Sequence, residues 1–80
     1  MKDITPEIKK IFSKSLRLPI NKITNKLSYV KSDKWDSLNH MSIVAQIEKK
    51  YKIHLKMKDI IAMETFEKSI KIVKNNIRKK

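Results

Sequence analysis

Not one of the eighty residues is glycine. Glycine enters positive φ without steric cost, and the two-residue turns that join antiparallel strands need that region. A chain without it is steered away from hairpins and toward helices. Cysteine is absent as well, which excludes a disulfide framework, a Cys-ligated zinc site and a thiol nucleophile. With 40% apolar residues, so short a chain buries one modest core, and a single domain of three or four elements is expected over residues 1–80.

The apolar spacing supplies the helices. Thr5-Pro6-Glu7 predicts a helix start, with a hydroxyl at the N-cap, proline at the first helical position and an acid facing the dipole. Ile8, Ile11, Phe12 and Leu16 then recur at helical spacing with Ser15 on the same face, and Pro19 stops the run. From Ile20 to Lys34 the pattern fails: Ile20, Ile23, Leu27, Tyr29 and Val30 begin as a helix would and never alternate as a strand would. This predicts a long loop pinned by those apolar anchors, or a loop containing a short irregular helix, and in so small a domain such a loop points to function.

Asp36 caps a second helix running to about Lys52, with Ile43, Val44, Ile47 and Tyr51 as its core face. Leu38, Met41 and Ala45 form an adjoining stripe, which is either additional core or surface offered to a partner. After Ile53 and Leu55, a short helix is expected from Asp59 to Met63 with Ile60 and Met63 inward. Thr65 then caps a last helix carrying Phe66, Ile70, Val73 and Ile77. The expected fold class is all-α: a small four-helix bundle, three principal helices plus one short helix, with a long loop between the first and second helices.

Twenty Lys and Arg against eight Asp and Glu give a formal charge of +12. Such a balance suggests phosphate neutralisation, and a basic helical nucleic-acid-binding domain is the alternative reading of this chain. Two features weigh against it. Successive blocks of twenty residues carry five, four, five and six basic residues with two acidic ones in each, so the charge is not gathered in an arm. Aromatics for base stacking are few, at two Tyr, two Phe and one Trp. An evenly basic solvated surface is the plainer cause of the composition. No apolar run approaches the roughly eighteen residues of a membrane span, and MKDITPEIKK lacks the apolar core of a signal peptide, so a cytoplasmic location is expected.

Asp36-Ser37 opens the best amphipathic segment. Asp is among the strongest N-cap residues and Ser is tolerated in the first turn, so the pair has a purely structural reading. A nucleophilic serine is a second reading, since His40 lies three residues on and could share a face with Ser37. A hydrolase also needs a group to orient the base, oxyanion donors and a pocket, which a chain with one other His and no Gly-rich turn does not supply. His40 is expected to be half-buried at the edge of the core stripe. His40 and His54, fourteen residues apart with no acidic cluster, do not predict a metal site.

A third reading comes from the wider pattern. Asp36-Ser37-Leu38 is followed by I-V-x-x-I-E-K-x-Y-x-I-x-L from Ile43, a short helix, and T-F-x-x-x-I-x-x-V from Thr65. Over about residues 4 to 77 this resembles the acyl carrier protein family. The resemblance implies a four-helix bundle whose long first loop leads to Asp-Ser-Leu at the start of the second helix. It implies that the Ser37 hydroxyl carries 4′-phosphopantetheine and that Asp36 helps a phosphopantetheinyl transferase recognise the site. Leu38, Met41 and Ala45 would lie on the partner-docking face, with Glu48 at a position where the family commonly has an acid. A phosphodiester on Ser37 would sit at the positive end of a helix, where free N–H groups and the macrodipole favour an anion. The implied protein is not an enzyme: another enzyme modifies Ser37, and the terminal thiol of the arm forms the thioester. Expected partners are the transferase and acyl-activating, acyltransferase or synthase enzymes, with the carrier itself a monomer.

The chain departs from the family pattern in charge. Ser42 and Lys49 stand where Glu is common, Asn39 replaces a common Gly or Asp, and Lys49, Lys50 and Lys52 make the end of the second helix basic. Rim charges set encounter rate and partner choice, so this chain should dock poorly on enzymes selected for acidic carriers. That predicts a free-standing carrier with dedicated partners, in surface-polysaccharide or secondary-metabolite acylation rather than bulk fatty-acid synthesis. A basic surface also favours transient contact with anionic membrane lipids.

Overall fold

The computed structural model describes residues 3–79. Four α-helices follow in order: α1 Thr5–Leu16, α2 Ser37–Tyr51, α3 Met57–Ala62 and α4 Phe66–Lys79. The all-α class, the three principal helices with one short one, and the long first loop are those that the spacing predicts.

The ends of α1 differ from expectation. Ile4, with helical backbone and no side-chain cap bond, precedes the helix, and Thr5 is its first residue. The capping acceptor is Asp3, whose Oδ1 accepts the Thr5 N–H at 3.0 Å; this bond holds the Asp3 carboxyl below its usual range. Nor is Pro19 the stop. The helix closes at Leu16, where Arg17 turns left-handed at φ 56° and ψ 44° and the Leu18 N–H returns to the Ser13 carbonyl at 3.1 Å. The end of α2 repeats the device, with Lys52 at φ 54° and ψ 47° and the Ile53 N–H on the Glu48 carbonyl at 3.2 Å. Glycine usually makes this closure. Here Arg17 and Lys52 make it, each at a steric cost of about 1–2 kcal/mol.

Within the long loop, residues Ile20–Lys22 form one 3₁₀ turn, so the short irregular helix is present. Of the five expected anchors only Ile23 is fully buried. Leu27 is half-buried, Tyr29 sits at the rim, and Ile20 and Val30 are exposed, Val30 by 88%. The loop is pinned by its backbone instead. Tyr29 N–H donates to the Glu64 carbonyl at 2.8 Å and Phe66 N–H to the Leu27 carbonyl at 2.9 Å, an isolated antiparallel bridge between Ser28 and Thr65. With the main chain holding it, side chains 20 and 30 are not needed inside.

The core joins Ile8, Phe12 and Leu16 of α1 to Ile43, Val44 and Ile47 of α2, Ile60 of α3, and Phe66, Ile70 and Val73 of α4. Met63 is buried beside Ile60 as expected, and the Thr65 Oγ1 caps α4 by accepting the Lys68 N–H at 3.0 Å. Tyr51, expected in the core, is half-buried and donates its hydroxyl to Glu7 Oε1 at 2.8 Å. Trp35, whose burial no periodicity predicts, is 1% exposed. Its ring meets Phe12 edge-on at 5.0 Å, and Phe12 meets Phe66 the same way at 5.1 Å; such pairs add about 0.5–1.5 kcal/mol each beyond area burial. Trp35 thus nails the end of the long loop to the core directly before Asp36 and Ser37.

Candidate functional site

Ser37 is the first residue of α2 and is exposed. Its presentation is fixed from both sides. Asp36, in extended conformation, is the N-cap, and its Oδ1 accepts the Asn39 N–H at 2.8 Å. The Asn39 amide in turn donates to the Lys34 carbonyl at 2.8 Å, tying the incoming chain to the first turn. The N-terminal end of the helix, with its free N–H groups and partial positive charge, lies at the Ser37 hydroxyl.

Ser37 opens onto a cleft of about 260 Å³ between α2, α3 and the long loop, lined by Tyr29, His40, Met41, Ile60, Ile61, Met63 and Glu64. The lining is predominantly apolar, and the volume is close to the lower end for small-ligand sites. Tyr29 and Ile61 belong to this wall although the sequence reading assigned neither to the site. The available signal was Ile61 itself, an apolar residue beside the inward Ile60 that cannot share its face.

His40 is more deeply placed than the half-buried position expected, at 9% exposure. The Trp35 indole Nε1–H donates to its Nδ1 at 2.9 Å, which leaves the ring proton on Nε2, where it is donated to the Ile60 carbonyl at 2.8 Å. Both nitrogens are therefore occupied, and the ring has no lone pair to offer the Ser37 hydroxyl. The imidazole is a strut that joins the loop, α2 and α3. His54 is exposed and its Nδ1 lies 3.5 Å from Glu48 Oε2. Among the described residues no group of three or more His, Cys, Asp and Glu could hold a metal.

The second apolar stripe of α2 is surface. Leu38 is 79% and Met41 49% exposed, and Ala45 is exposed beside them. Glu48, the fourth residue expected on the docking face, is turned toward the chain that follows α2. Its Oε2 accepts the Leu55 N–H at 2.8 Å, so its carboxylate brackets the turn after Lys52.

Over its length the chain is 32% identical to the acyl carrier protein of Buchnera aphidicola subsp. Schizaphis graminum (strain Sg), covering 99% of this chain and all of that protein. It is 30% identical to the acyl carrier protein of Buchnera aphidicola subsp. Acyrthosiphon pisum (strain 5A), both chains being covered in full. The chain belongs to the acyl carrier protein family. The fold of this carrier also matches the solution structure of a holo acyl carrier protein from Geobacter metallireducens, with a TM-score of 0.82 over 98% of this chain and 90% of that one. At 20% identity this likeness is one of fold. No family model matches the chain.

Proposed function

We propose that this protein carries acyl or related groups as thioesters on a 4′-phosphopantetheine arm attached to Ser37 Oγ, and hands them to partner enzymes. The observation that carries the reading is Ser37 itself: an exposed hydroxyl on the first residue of α2, capped by Asp36 and opening onto an apolar cleft. The residues fit the group. A phosphodiester at Ser37 meets the N-terminal end of α2, where the first-turn N–H groups and the macrodipole favour an anion. Asp36 fixes where that end lies and is the acid a transferase would recognise. The arm, when attached, supplies the thiol that a cysteine-free chain lacks. Tyr29, Met41 and Ile61 exclude water from one side of whatever leaves Ser37, and Leu38, Met41 and Ala45 form the adjoining surface on which a partner rests.

Partners follow by class: a phosphopantetheinyl transferase that loads Ser37, then acyl-activating, acyltransferase or synthase enzymes. The basic end of α2 supports dedicated partners and a specialised acylation pathway rather than bulk fatty-acid synthesis. Among the described residues no helix is long and apolar enough to cross a membrane.

The test is attachment. Incubation with coenzyme A, magnesium and a broad-specificity transferase should add one phosphopantetheine mass to the intact chain, with the phosphodiester forming at Ser37 Oγ as the nucleotide half of coenzyme A departs. Ser37→Ala should add none. No gain with several transferases, or a gain that survives Ser37→Ala, removes the reading.

A further inference from the structure

The outward face of α2 reads differently from its sequence once its charges are placed. At 3.6 residues per turn, the side opposite buried Ile43 and Ile47 carries Leu38, Ser42, Ala45 and Lys49, all exposed, and ends at exposed Lys52. The helix has one acid, Glu48, and that carboxylate is committed to the Leu55 N–H and His54. Asp36 is likewise committed, to the Asn39 N–H. Lys50, by contrast, leans away toward Glu7 of α1 at 3.7 Å. Among the described residues no salt bridge reaches Lys49 or Lys52. At the Ser37 end, a polar groove of about 670 Å³ beside Asp36 sets Lys14, Arg17 and Lys34 against Asp33 and Asp36. The groove is mixed in charge, so the face is apolar toward its Ser37 end, through Leu38 and Met41, and cationic at its far end, through Lys49 and Lys52, over about 17 Å from Leu38 to Lys49.

We infer that the partner of this face is a protein surface bearing carboxylates, opposite Lys49 and Lys52, beside an apolar seat for Leu38 and Met41. The inference rests on the reading of Ser37 as the attachment site and names the kind of enzyme that receives what Ser37 carries. Complementary rim charges steer encounter and suppress wrong partners, so a helix face whose exposed, unbridged charges are Lys49 and Lys52 selects acidic partners and rejects basic ones. A membrane face would need a broad apolar band rich in Trp, Phe and Leu, whereas this one offers two large apolar side chains. Lys49 and Lys52 are the discriminating pair, because Lys50 is held by α1.

The experiment uses a promiscuous phosphopantetheinyl transferase in two forms, one whose carrier-docking surface bears Lys and Arg and one with those residues changed to Glu. The acidic form should load the wild-type chain with a kcat/KM about tenfold above that of the basic form at low salt, the gap closing as salt rises. Lys49→Glu/Lys52→Glu should reverse the order of the two enzymes. Lys26→Glu/Lys71→Glu, equal in net charge and placed on the loop and α4, should not. Rates within twofold for both enzymes and both α2 charge states overturn the inference while leaving Ser37 loading intact. Binding of the wild-type chain to phosphatidylserine vesicles or to duplex DNA at physiological salt, lost in Lys49→Glu/Lys52→Glu, also overturns it by assigning the face to that polyanion. No loading in any arm, including long incubations, removes the Ser37 reading and the inference with it.

Discussion

Replacing His40 with Leu keeps a side chain of similar bulk and removes both ring nitrogens. The Trp35 Nε1–H, on a side chain 1% exposed, then loses its acceptor, and the Ile60 carbonyl loses its donor. A buried polar group stranded in this way costs about 1–3 kcal/mol. Both bonds are buried, and with each stranded group in the lower half of that range the total comes to about 2–4 kcal/mol. A domain of this length is stabilised by roughly 4–12 kcal/mol. The loss should therefore lower Tm by roughly 10–30 °C and shift the urea midpoint without a matching change in slope. Trp35 is the sole tryptophan, so its emission follows the transition. His40→Gln, which retains a donor and an acceptor, should recover part of the loss. Amide exchange in His40→Leu should accelerate in α3 before α1, because the strut ends on Ile60. A loss below about 0.5 kcal/mol, the ordinary range of an inconsequential surface change, would refute the reasoning, since the ring would then serve only as packing that Leu provides equally well.

Two smaller perturbations follow from the helix ends and the Tyr51 bond. Tyr51 is pushed above the usual tyrosine range, first by burial and then by its hydrogen bond to Glu7 and the charge of that carboxylate. Its neutral form stabilises the fold fully below the unfolded pKa of about 10, and that stability is lost as pH rises beyond it, because the unfolded chain ionises first. Tyr51→Phe should cost about 0.5–1.5 kcal/mol at neutral pH and flatten the alkaline decline in urea titrations; an unchanged decline would acquit Tyr51. Arg17→Gly should raise stability by about 0.5–1 kcal/mol by relieving the left-handed closure of α1, measured by the same titration. A loss instead would mean that Arg17 contributes more through its side chain than its backbone strain costs.

The helices were legible because their buried faces recur at helical spacing, from Ile8-Phe12 in α1 to Phe66-Ile70-Val73 in α4. The Asp36 cap was legible because Asp is among the residues that best accept first-turn N–H groups, and that cap fixes Ser37 as the exposed first residue of α2. What escaped the sequence was held by partners distant along the chain or by backbone atoms. The loop is bound through main-chain bonds to Glu64 and from Phe66, and such bonds leave no mark on residue type, so Ile20 and Val30 passed for anchors. His40 looked marginal because one of its two partners is the carbonyl of a residue twenty positions on. Glu48 looked available because its direction depends on the left-handed turn at Lys52, which swings the Leu55 N–H back to it. Trp35 belongs to no periodic run, and its burial follows from meeting Phe12 of another helix.

The separation between core and charge bears on why this surface is so basic. The buried set is almost wholly apolar, and only His40 and Ser69 are buried polar residues among those described. A core of that kind is indifferent to the sign of the charges outside it, which is how this chain shares a fold with a protein only 20% identical to it. The charges do little for the fold in return. The pairs Lys50–Glu7, Lys68–Glu64 and Lys74–Asp3 are all partly or largely exposed, where such pairs are worth about 0–1 kcal/mol. A net charge of +12 on a body with a radius of gyration of 11.5 Å adds self-repulsion. A compositional bias toward Lys codons would explain Lys over Arg, but not the withdrawal of α2's only acid into a turn or the exposed Lys49 in the last turn of its outward face. Charge that does not stabilise the fold, set at the far end of the helix that begins at Ser37, has its use in what that helix meets.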